Sequence, residues 1–133
     1  MGKLWKGTMA VGEPVAVFES DGYFGKIWKG SSSTSPVLGR FEYGSGRFFG
    51  KIYKGPLAVG EPVARFENES GSSFGKVYRG GLAVGEPIAK FQNANRQEYG
   101  KIFRGVLAVG EPVARFEGDS GCAVAAAFLL GII

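Results

Sequence analysis

With 133 residues the chain is of single-domain length, long enough to bury about two-thirds of its unfolded surface without metals or disulfides. It has no histidine and one cysteine, Cys122, so the commonest general base and metal ligand is missing and no internal disulfide can form, which fits a reducing, cytoplasmic compartment. The formal charge of +4, the 23 glycines and the 14% aromatic content point to short aromatic strands joined by many turns and exclude long helices from the body.

The opening stretch, MGKLWKGTMAVGEP, has no apolar run of signal-peptide length, and Lys6 stands where the myristoylation pattern requires Ser or Thr. Neither export nor lipidation is expected. From Gly2 onward one motif recurs: GKLWKG, then GKIWKG at Gly25, GKIYKG at Gly50, GKVYRG at Gly75 and GKIFRG at Gly100, at intervals of 23, 25, 25 and 25. Eleven residues after each closing glycine comes a phenylalanine, Phe18, Phe41, Phe66, Phe91 and Phe116. The chain therefore reads as five tandem units, residues 2–24, 25–49, 50–74, 75–99 and 100–124, and a hydrophobic segment at 122–133.

Each unit reads as a β-hairpin. The Gly-Lys-aliphatic-aromatic-basic run is its first strand, PVARFE or its equivalent its second, and SDGY, EYGSGR, ENESGSS and QNANRQE are turns to the next unit. Alternation puts Ile52, Ala64 and Phe66 on one face and Lys51, Tyr53, Arg65 and Glu67 on the other. Ile52 and Phe66, with Leu4, Ile27, Val77, Ile102, Phe18, Phe41, Phe91 and Phe116, are the expected core. A lone hairpin is marginal in water, so the five must share that core, either as a solenoid with two open ends or as a closed ring. The terminal units show no polar capping face, which favours the ring: an all-β fold of five tandem β-hairpin repeats in a pseudo-five-fold arrangement around a short hydrophobic C-terminal helix.

Between the strands of four units lies an apolar connection, TMAVGEP, PLAVGEP, GLAVGEP and VLAVGEP, whereas unit two has SSSTSP. Two readings stay open. Each connection folds back as a short extra strand over the base of its own hairpin, or Met9, Val11, Leu57, Val59, Leu82, Val84, Leu107 and Val109 form a discontinuous apolar rim that contacts a partner.

A sixth unit would begin at position 125, but the lysine position there is Ala126. The tail GCAVAAAFLLGII is rich in helix formers, with Asp119 or Ser120 placed to cap it. From Cys122 to Ile133 a helix would span roughly 18 Å, short of the ~30 Å of a bilayer core. A central plug is favoured; a peripheral anchor or oligomer contact, and an edge strand, remain as alternatives.

Five G-K-I-Y-K-G … V-A-R-F-E hairpins followed by an Ala/Leu-rich segment resemble the five-fold beta-flower proteins, small bacterial repeat proteins whose hairpin petals surround a hydrophobic C-terminal segment. The resemblance covers essentially the whole chain and implies a fold and a bacterial setting. It assigns no activity and no site residues. The VLGRFE of unit two is nearest the family's second strand; the other units carry Ala for that Gly and the longer LAVGEP connection.

The candidates for chemistry are themselves repeated. Glu13, Glu61, Glu86 and Glu111, and Glu19, Glu42, Glu67 and Glu117, recur in like surroundings, whereas acid-base catalysis needs carboxylates in unlike ones. They read as surface ion pairs with Lys26, Lys51, Lys76, Lys101 and the strand arginines. ENES and EGDS lack the spaced carboxylates of a calcium loop, and no glycine run lies between a strand and a helix as a phosphate loop requires. No enzyme activity, metal or cofactor is expected. Net charge by unit is −1, +3, 0, +2 and 0, an interspersed surface that argues against nucleic acid. The functional expectation is a non-catalytic structural or interaction module, acting on a protein or by self-association. The alternatives are a multivalent small-ligand or glycan binder stacking on Trp5, Trp28, Tyr53, Tyr78 and Phe103, and a tail-anchored membrane-peripheral protein.

Overall fold

The computed structural model describes residues 2–33, 36–44, 48–56, 59–69, 71–82, 84–94 and 99–133. Ten strands precede one helix: β1 (Gly2–Lys6), β2 (Ala16–Asp21), β3 (Phe24–Lys29), β4 (Val37–Tyr43), β5 (Phe49–Lys54), β6 (Ala64–Asn68), β7 (Phe74–Arg79), β8 (Ala89–Gln92), β9 (Gly100–Arg104), β10 (Ala114–Glu117) and α1 (Ser120–Leu129). Every strand pairs antiparallel with its neighbours in the chain, and β10 returns to pair with β1, so the sheet is a closed barrel. Closure leaves no strand edge exposed, which answers the choice between ring and open solenoid.

The interior is built from large residues set against small ones. Phe18, Phe41, Phe66, Phe91 and Phe116 each stand directly across from the glycine that begins a Gly-Lys motif on the partner strand: Gly2, Gly25, Gly50, Gly75 and Gly100. These rings need that space: a Cβ at Gly50 would fall 2.3 Å from the Phe66 ring, and one at Gly75 2.1 Å from Phe91. Phe66 meets Phe41 and Phe91 at ring-centroid distances of 5.3 and 5.7 Å. The next layer alternates Leu4, Ile52, Val77 and Ile102 with Ala16, Ala64, Ala89 and Ala114. All ten residues expected in the core are buried.

Helix α1 completes the core. Asp119 caps it, its Oδ1 accepting from the Gly121 and Cys122 amides at 2.8 and 3.3 Å. Residues 121–127 are buried. The helix lies closest to β4. There Gly121 faces the Phe41 ring, the Cys122 sulfur lies over Gly25, and Leu129 lies over Gly39, which stands where four other second strands carry Ala. The helix ends at Leu129, four residues before the expected Ile133. Gly131 adopts φ 75°, and the Ile132 and Gly131 amides turn back onto the Ala127 and Phe128 carbonyls, the Schellman pattern that closes a helix.

Candidate functional site

The barrel has two unlike ends. At the end of the short turns, Asp119 receives Tyr43 Oη at 2.8 Å and Ser20 Oγ at 3.0 Å, so the start of α1 is fastened to β2 and β4. At the other end the long connections leave the strands and the tail emerges. Lys6, Lys29, Lys54, Arg79 and Arg104 close β1, β3, β5, β7 and β9 there, all exposed. They stand opposite the inward residues Ala114, Ala16, Gly39, Ala64 and Ala89, and so surround the mouth. Helix α1 has no basic residue in its last turn, and Arg79 and Arg104 of this ring bring cations to its negative end. Arg104 donates to the Ile132 carbonyl, and the Arg79 guanidinium lies 5.6 Å from the Phe128 ring.

The connections do not fold back as extra strands among the described residues. Met9, Val11, Val59, Leu82, Val84, Leu107 and Val109 are each 59–71% exposed, as the rim reading requires; Leu57 lies outside the described residues. Val106, not singled out from the sequence, is exposed beside them. The tips share one backbone shape, because Gly12, Gly60, Gly85 and Gly110 take φ of 75, 75, 75 and 77°. That left-handed turn suits glycine and leaves the preceding valine at the apex and the following glutamate in solvent. The connection still covers something: the Gly12 carbonyl accepts from Trp5 Nε1 at 3.1 Å.

Beside the polar connection of unit two, the described residues leave a notch at this end of the barrel. Lys29, Pro36, Val37, Leu38, Lys54 and Gly55 line this notch of about 510 Å³. Between units three and four, a groove of about 570 Å³ is lined by Lys51, Glu61, Pro62, Arg79, Leu82 and Val84, among others.

The five aromatic residues considered for stacking are not equivalent. Trp5, Trp28 and Phe103 are buried, Trp5 partly under its own connection and against Tyr99, while Tyr53 and Tyr78 are half-buried. A flat ligand would find two partly open rings, not five. Three ion pairs are seen among the described residues: Arg40 with Glu42 at 3.3 Å and Arg65 with Glu67 at 3.0 Å, each within one strand, and Lys90 with Glu69 at 3.2 Å. Among the described residues no group of three His, Cys, Asp or Glu could hold a metal ion. No described helix is long and apolar enough to cross a membrane. The outer wall carries Lys26, Arg40, Lys51, Arg65, Lys76 and Lys90 in mid-strand, where a spanning barrel would carry its apolar band.

Cys122 is buried, and desolvation followed by the nearby Asp119 charge pushes its thiol far above the ordinary range. Iodoacetamide at pH 8 is expected to leave it unmodified in the native protein and to label it on unfolding; prompt native labelling would contradict its burial. The unfolded thiol ionises near ~8.5 while the native one stays neutral. Its stabilising contribution is therefore present below that pH and falls as pH rises, by about 1.4 kcal/mol per unit, readable in urea unfolding at stepped alkaline pH.

No family model matches the chain, nor does any curated protein or solved structure.

Proposed function

We propose that this chain is a pseudo-five-fold ring of β-hairpin repeats of the beta-flower type, and that it works as a non-catalytic interaction module whose contact surface is the end bearing the apolar loops. The setting we infer is a bacterial cytoplasm, from the resemblance and the single cysteine. One observation carries the functional reading: the apolar loop residues are exposed, yet the barrel does not depend on them. Unit two has serines in their place, and β3 and β4 still pair from Phe24 to Trp28, a bulge after Ile27 absorbing the extra residue of that second strand. Exposed side chains that contribute little to folding, gathered at one end, are the mark of a contact surface.

The variant Leu57→Ser/Leu82→Ser/Leu107→Ser is expected to keep the wild-type circular dichroism spectrum and unfolding midpoint. It should lose at least about tenfold in self-association by sedimentation, or in retention of proteins captured by the wild type, a loss of about 1.4 kcal/mol. Unchanged behaviour in both assays would overturn the reading.

A further inference from the structure

We propose that the notch in unit two receives a Leu-Ala-Val-Gly-Glu loop from a second copy of this chain, giving a two-fold dimer joined through its loop ends. This rests on the loop end being the contact surface. The notch has an apolar floor, Pro36, Val37 and Leu38, with Lys29 and Lys54 on the flanking strands β3 and β5. Neither lysine is held in an ion pair among the described residues. A fitting occupant is apolar over most of its length and carries one acid near the end.

The loops of the other four units have that composition. Each places an exposed valine two residues before an exposed glutamate: Val11 and Glu13, Val59 and Glu61, Val84 and Glu86, Val109 and Glu111. The valine would rest on Pro36, Val37 and Leu38 while the carboxylate meets Lys29 and Lys54. The glycine between them already holds the same left-handed conformation in all four, so the turn that presents valine and glutamate is formed before binding. A notch of about 510 Å³ lies within the range, about 300–1,000 Å³, that accommodates a small apolar group with a polar end.

Stoichiometry follows from placement. A two-fold interface requires one surface to hold both donor and acceptor, and here loops and notch share the same end. Two copies meeting face to face fill both notches at once. Each copy has one unit with a polar connection, so with both notches filled across the two-fold axis no notch is left for a third copy and association stops at the dimer.

Sedimentation equilibrium on the full chain tests this with charge exchange. Wild type is expected to dimerise. Lys29→Glu/Lys54→Glu, and separately the variant with Glu13, Glu61, Glu86 and Glu111 each changed to Lys, should dimerise at least about tenfold more weakly. An equimolar mixture of the two should recover the dimer, because every notch again meets a loop of opposite charge. All these positions are exposed, and circular dichroism of each variant checks that the barrel is intact. Wild-type dimerisation unaffected by either charge variant would overturn the notch. If the serine variant still weakened association, the loop-end reading would stand without it. A wild-type protein that stays monomeric would overturn the dimer, and flotation of that monomer with phosphatidylglycerol vesicles would assign the loop end to a lipid surface.

Discussion

A chain cut after Ser120 is expected to lose cooperative folding altogether. The barrel's inward positions alternate large residues with Gly and Ala, so its wall cannot fill its own centre. Barrels of about eight strands have interiors that side chains just fill, and this one has ten. The helix supplies the missing volume: Cys122 to Ala127 are fully buried, and Phe128 and Leu129 pack against the same cluster. Burying Val124 fully is worth about 1.5–3 kcal/mol, and the partly buried Phe128 and Leu129 add a share of that each, before the alanines and Cys122 are counted. Vacating that space adds about 24 cal/mol for each Å³ that does not collapse. Against a total stability of about 5–15 kcal/mol, the loss leaves nothing. The truncated chain should retain strand signal in far-ultraviolet circular dichroism, lose its near-ultraviolet bands, bind anilinonaphthalene sulfonate and unfold in urea without a sharp transition. A transition within about 1 kcal/mol of wild type would mean that the barrel stands without its centre.

The strands and their inward faces were legible because period two and the Gly-to-Phe spacing carry that information locally. Phe66 across from Gly50 is the physical form of a spacing already visible in the chain. The N-terminus of α1 was legible for the same reason, since Asp119 precedes an uninterrupted apolar run; its C-terminal limit could have been read from Gly131. The fate of the LAVGEP connections was not legible. Leu-Ala-Val suits a covering strand as well as an exposed tip, and the choice depends on what the rest of the barrel leaves uncovered.

Least legible were the places where one unit departs from the others. Gly39 for Ala, Tyr43 where other units have Ser, Asn or Gly, and Arg79 and Arg104 for Lys are each ordinary substitutions in a tandem sequence. With the helix in place they become one set. Gly39 faces Leu129, Tyr43 binds Asp119, Arg79 approaches Phe128 and Arg104 holds the Ile132 carbonyl. The units differ where they touch the helix, which meets them differently.

That account makes Gly39 an exacting position on the wall, where the helix rather than a phenylalanine ring of the barrel takes the space. A Cβ there would lie 2.1 Å from Leu129 Cδ1 and 2.8 Å from the Tyr53 carbonyl oxygen, both closer than carbon tolerates. Gly39→Ala is expected to destabilise the protein by about 1–3 kcal/mol, the usual cost of one extra carbon in a packed interior. The reverse change at an equivalent position, Ala64→Gly, faces no such contact and should cost about 1 kcal/mol or less, from chain entropy and a small void. Leu129→Ala removes the nearer of the two obstructions at Gly39 and leaves the Tyr53 carbonyl in place. The double variant Gly39→Ala/Leu129→Ala should then be more stable than the sum of the single losses predicts, by at least about 0.5 kcal/mol, because the two atoms compete for one space. Urea unfolding of all four proteins measures this coupling. Strict additivity would place Leu129 away from Gly39 and would leave the Tyr53 carbonyl, not the helix, as the reason for glycine in unit two.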